Sequence, residues 1–152
     1  MEPNPTSASP WDTALRLLSR RDHGRRELAQ NLRQRGFEPE QIEQVLDRLE
    51  QQHWLEESRF AQVQVRQHLL KKHGPRRIRA ELQRKGVAGA DIEAALAAEA
   101  PDWFELAARC YLARFTPAVR LELKERARRV RYLQARGFEP EHIRHALDSF
   151  PD

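Results

Sequence analysis

Cysteine is almost absent from this 152-residue chain, where Cys110 stands alone. No disulfide can close within one chain, and no cysteine cluster can hold a metal. A lone thiol fits a reducing compartment. Aromatic residues are scarce at 7%, which leaves any core to aliphatic side chains. No apolar run approaches the roughly 20 residues that span a bilayer. Residues 1–10 hold three prolines, no apolar run and no positive cluster, so they resemble neither a signal peptide nor an anchor. The expectation is a flexible tail over 1–10 and a cytoplasmic protein without membrane contact. Six glycines, most of them at turns, leave no phosphate cradle of the G-x-x-x-x-G-K-[ST] or G-x-G-x-x-G kind. Ser19, Ser58 and Ser149 lack the partnered histidine on a strained turn that a nucleophile needs. These absences predict a protein that binds without catalysing and needs no cofactor.

What the chain does have is charge, at 33% of residues, with a net +4 that tilts towards an anionic partner. Its apolar residues recur at helical spacing, so it folds rather than staying disordered. Strand signals are missing.

The pattern is internal repetition. The stretch from Arg26 to Leu46 places Leu28, Leu32, Gly36, Phe37, Ile42 and Leu46 in a register that returns from Arg76 to Leu96 with Ile78, Leu82, Gly86, Val87, Ile92 and Leu96. A third copy, Ala127 to Leu147, supplies Leu133, Gly137, Phe138, Ile143 and Leu147. It departs once: Arg129 stands where Leu28 and Ile78 stand, with Val130 beside it, which predicts a rotated helix. In each copy a glycine closes one helix after a basic residue (Arg35, Lys85, Arg136). The next helix opens at once. Glu38 and Glu139 suit its N-cap, Pro39 and Pro140 its first turn, and Phe37 with Ile42, Val87 with Ile92 and Phe138 with Ile143 its hydrophobic staple. A third helix precedes each pair, over Trp11–Arg21, Ser58–Lys72 and Asp102–Phe115, the last with a possible capping box from Asp102 to Glu105.

The predicted fold is therefore all-α, with three tandem three-helix repeats over 11–56, 57–100 and 101–150. Units of about 40 residues are marginal alone, so they should stack into an elongated, curved row. Trp54, Leu55, Phe60, Trp103 and Phe104 lie at the unit boundaries and are expected to pack between units rather than stack on bases.

The first junction, His53-Trp-Leu-Glu-Glu-Ser-Arg-Phe60-Ala61, joins Arg25-Arg-Glu-Leu28 and the two Arg-Gly-Phe-Glu-Pro-Glu turns at 35–40 and 136–141. With these features, residues 12–150 resemble the RecX family of bacterial regulators. Two positions depart, because the family often has glycine where His53 stands and aspartate where Glu57 stands. The resemblance implies a modulator of the RecA recombinase. Such a protein would lie along the helical groove of the RecA nucleoprotein filament and limit filament growth, ATP hydrolysis, strand exchange and the coprotease activity behind the SOS response. Many members also bind DNA directly, so the partners implied are the RecA filament and single- or double-stranded DNA, met by a monomer.

A sharp-turned three-helix unit also resembles a DNA-reading helix-turn-helix. The charges oppose that reading, since the last helix of unit one sets Glu40, Glu43, Asp47 and Glu50 against Arg48, beside what would be a phosphate backbone. The equivalent helix of unit two carries Asp91, Glu93 and Glu99 and no basic residue. Positive charge gathers instead at Lys71, Lys72, Arg76, Arg77, Arg79, Arg84 and Lys85 in unit two, and at Arg126, Arg128, Arg129, Arg131 and Arg136 in unit three. Residues 60–99 hold eight basic against four acidic residues, and 104–150 hold ten against six. Unit one is nearly balanced, with eight against seven over 14–55. These clusters are the expected contact with filament or DNA, without base reading; the alternative is a solvated helix face. His142 with His145, and His68 with His73, read as surface histidines rather than metal ligands. Cys110 reads as a small buried hydrophobe.

Overall fold

The computed structural model describes residues 9–149. Among them lie nine α-helices and no strand: α1 Pro10–Arg20, α2 Arg25–Gln34, α3 Pro39–Gln51, α4 Glu57–Leu70, α5 Pro75–Arg84, α6 Gly89–Glu99, α7 Trp103–Arg114, α8 Leu123–Ala135 and α9 Pro140–Asp148. Most of the expected tail lies outside the described residues, but its end is structured. Ser9 caps α1 by accepting from the Asp12 amide, and Pro10 is already helical.

The repeat is built on one kind of turn. Gly36, Gly86 and Gly137 take φ of +90°, +83° and +100°, a left-handed conformation that a Cβ disfavours. Each turn returns two amides to the preceding helix, as when Gly36 donates to Arg33 O (3.0 Å) and Phe37 to Leu32 O (3.3 Å). This is the Schellman pattern. The following helix is capped in return: Glu38 N–H donates to the Gln41 side chain (3.1 Å), and Glu139 N–H to His142 Nδ1 (3.2 Å).

Each trio then closes its own core. Leu28, Leu32, Ile42, Leu46, Leu49 and Leu55 form the first; Phe60, Val65, Ile78, Leu82, Ile92 and Leu96 the second; Tyr111, Phe115, Leu133, Phe138, Ile143 and Leu147 the third. The expected rotation of the third middle helix is not found. Arg129 is buried in the place of Leu28 and Ile78, while Val130 is only partly buried. Burial is tolerated because Nε and Nη1 of the guanidinium are both engaged. It donates to Tyr111 Oη (2.7 Å), to Thr116 O (2.9 Å) and to Glu125 (2.9 Å), and it lies 4.9 Å from the Phe115 ring centre.

The units meet through the N-termini of the middle helices. At the first junction a Cβ on Gly24 would come 2.8 Å from the Phe60 ring, Arg26 donates to Arg84 O (3.0 Å), and Arg59 pairs with Asp22 (2.9 Å). At the second, backbone meets backbone: Gly74 donates to Arg136 O (2.7 Å) and Arg76 to Gly137 O (2.9 Å). A Cβ on Gly74 would fall 2.4 Å from the Gly137 carbonyl carbon. Among the described residues no hydrogen bond or ion pair joins the first unit to the third, so the units form a row.

The five boundary residues divide. Phe60 belongs to the second core and touches Gly24 of the first unit, and Trp103 of the third unit packs on the second core. Leu55 is buried within the first core. Trp54 and Phe104 depart from the expectation, at 51% and 41% exposed. The chain turns so that Trp54 and Leu55 both donate to Leu49 O, which sends Leu55 inward and leaves the indole at the surface. Phe104 lies edge-on to His142 (4.8 Å) and His145 (5.3 Å) of α9, within its own unit.

Candidate interface for an anionic partner

The basic residues singled out above do not form one free surface. Arg76 pairs with Glu139 (2.8 Å), and Arg79 grips Glu93 through two nitrogens (2.7 and 3.2 Å). Arg84 pairs with Glu81, Arg126 with Asp148 (3.1 Å) and Arg128 with Glu125 (2.8 Å). Arg129 is buried as described and is removed from the candidates. Arg136 is committed too, since its guanidinium donates to Lys71 O across the junction. Among the described residues Lys71, Lys72, Arg77 and Arg131 have no carboxylate partner, and Lys85 donates only to Gln64 (2.6 Å).

Three of these free cations converge. Lys71 at the end of α4, Arg77 on α5 and Lys85 at the turn after it line a polar cleft of about 250 Å³, together with His68, His73 and a single acid, Glu81. Neither histidine is the surface group expected from sequence alone. His73 is buried, His68 is half-buried, and their Nδ1 atoms stand 2.7 Å apart. Burial first, then Arg77, Arg136, His68 and Lys71, push the His73 imidazole down to about 4. It is neutral at physiological pH, so the positive charge of the cleft comes from its two lysines and its arginine, set against the single carboxylate of Glu81. His142 also proves buried, with its Nδ1 spent on the α9 cap.

The opposite sign collects at the first unit. Arg25 is held by Glu43 (2.8 Å), Asp47 (2.8 Å) and Glu50 (2.7 Å). Burial disfavours its charge, but the three carboxylates outweigh burial and raise its pKa. That face of α3 is acidic and would repel phosphate. Cys110 lies in the third core, where burial raises its thiol. Among the described residues no helix is long and apolar enough to cross a membrane.

Three small cores in a row, with one cationic cleft and one acidic face, define an all-helical tandem-repeat protein suited to binding along a partner. Models described as the first, second and third three-helix domains of RecX match residues 11–49, 57–96 and 102–147. The chain is 46% identical over 143 residues to a "Regulatory protein RecX" of Vibrio vulnificus, covering 94% of each. It is 45% identical over 148 residues to that of Vibrio parahaemolyticus, covering 97% of this chain and 94% of the relative. A crystal structure of RecX from Lactobacillus salivarius superimposes with a TM-score of 0.75 at 20% identity, covering 93% of this chain and 96% of that one. A second, of "regulatory protein RecX", gives 0.81 at 24%, covering 91% and 71%. The chain belongs to the RecX family, whose members are named as regulatory proteins.

Proposed function

We propose that this chain regulates the RecA recombinase by lying along its DNA filament, with units two and three turned towards the nucleoprotein. The observation that carries this reading is the cleft between α4 and α5, where three cations without carboxylate partners face outward from the middle of a row of repeats. A row suits a groove. The 14 residues of α4 alone extend roughly 21 Å, so three units reach beyond one subunit of a fibre. The acidic α3 face lies on the first unit and the cleft within the second, which supports a binder whose second unit, not its first, meets the phosphates.

Titrating the protein into RecA turning over ATP on single-stranded DNA tests this. ATP hydrolysis falls as the protein is added, and charge reversal at Lys71 and Arg77 together weakens the effect at least about tenfold, in the range of two lost charge-assisted contacts. Unaltered hydrolysis would end the proposal. The competing reading is a protein that binds DNA alone and affects recombination indirectly. Salt separates the two, because phosphate-dominated binding weakens steeply as salt rises. Inhibition that persists at a salt concentration abolishing binding to naked DNA favours the filament; inhibition lost together with DNA binding favours the rival.

A further inference from the structure

The histidines under the cationic cleft have no part in packing a core, and their geometry carries information of its own. We propose that this cleft receives one phosphodiester group of a DNA backbone, and that the His68–His73 pair takes up a proton as the phosphate enters. The inference rests on the reading that unit two faces DNA.

Two Nδ1 atoms 2.7 Å apart can be stable neighbours only if one carries hydrogen and the other offers its lone pair. In the neutral pair, the donor ring is protonated at Nδ1 and bare at Nε2. An added proton goes to that Nε2, which leaves the Nδ1–H···Nδ1 bond in place. The surroundings oppose this addition in the empty cleft. Facing the pair are Lys71 from α4, Arg77 and Glu81 from α5, Lys85 from the turn after α5, and Arg136 from unit three. Arg136 in turn faces the neutral thiol of Cys110. Glu81 is the one acid, and it is already paired with Arg84. Gln64 is occupied by Lys85 (2.6 Å).

Burial and those same cations lower both histidines. A group set that repels a proton attracts a phosphate, and a phosphate among them cancels the repulsion. Proton and phosphate therefore favour each other's binding, as linkage requires. The complex holds the extra proton, so affinity rises as pH falls. If His73 regains the ordinary histidine value of 6.5 from about 4 in the complex, affinity is about tenfold higher at pH 5.5 than at pH 8.

The test is calorimetry on the full chain with a short thymidine oligonucleotide, which has no group titrating between those pH values, in two buffers of different ionisation enthalpy. Sulfate serves as a second probe. Uptake of a fraction of a proton at pH 6, the tenfold pH dependence, and loss of both in His68→Gln with residual DNA binding are expected. Should that variant fail to fold, NMR titration of the histidine rings in the unsubstituted chain replaces it, and both ring titrations must move upward when oligonucleotide is added. Oligonucleotide binding without proton uptake overturns the inference alone, as does uptake that survives in His68→Gln. Uptake with sulfate but not with oligonucleotide overturns the assignment to DNA. If the oligonucleotide fails to bind even at low salt, the underlying reading of unit two fails instead.

Discussion

Arg129 occupies an apolar position of the repeat, and its neighbours show what makes a buried charge tolerable there. Its guanidinium supplies a partner for the buried Tyr111 hydroxyl and stacks near Phe115, so removing the arginine alone leaves that hydroxyl unpaired. Arg129→Leu restores the residue type of the first repeat yet should destabilise the chain by about 1–2 kcal/mol, the cost of one unsatisfied buried group. Adding Tyr111→Phe should recover most of that loss, because a buried ion can be replaced by well-packed apolar groups at little cost. Chemical denaturation of the two single variants and the double variant checks this; additive losses would show that Arg129 acts through something other than Tyr111. His53 offers a simpler case. It has φ of +63° at the position where the family often carries glycine, and it is exposed. Relief of the left-handed strain in His53→Gly should stabilise by about 1 kcal/mol, seen as a higher thermal midpoint.

Between elements, glycines with different constraints separate the strength of a turn from the strength of a junction. Gly36 has open space around an added Cβ but a φ of +90°, so Gly36→Ala should cost about 1 kcal/mol of backbone strain within unit one. Gly74 has an ordinary φ of −84°, but its Cβ would enter the Gly137 carbonyl of the next unit. Gly74→Ala should cost about 3 kcal/mol as an overpacked contact and should release unit three first. Limited proteolysis would detect early cleavage near residues 100–102 in this variant and not in Gly36→Ala; equal cleavage would mean that the junction does not hold the row. The turn glycines, caps and core register were legible in the sequence because they depend on residues within about ten positions of one another. The junctions were not. Gly74 reads locally as an ordinary helix start, and its role comes from a turn more than sixty residues away. Trp54 departs for a local reason instead: its hydrophobicity marks it for burial, while the bonds by which Trp54 and Leu55 both donate to Leu49 O leave it outward.

At the scale of the whole molecule, counting basic residues overstates the surface available to an anion. Sequence patterning treats the twelve cations of units two and three as equivalent, but the partner of each is set by tertiary contacts such as Arg76 with Glu139 and Arg136 with Lys71 O. A cation already facing a carboxylate releases few counterions from DNA, whereas Lys71 and Arg77 face none among the described residues. The salt dependence of single-stranded DNA binding should report that difference, at about 0.7 of log-log slope per phosphate neutralised. Lys71→Gln with Arg77→Gln, which together face the one phosphate proposed for the cleft, should therefore reduce the slope by about 0.7. Arg76→Gln with Arg79→Gln removes the same formal charge from the same unit but should reduce it by less than about 0.7. Fluorescence anisotropy over a salt series measures both. Equal reductions would mean that the ion pairs to Glu139 and Glu93 open on binding, and that net charge, rather than the cleft, determines how the row meets DNA.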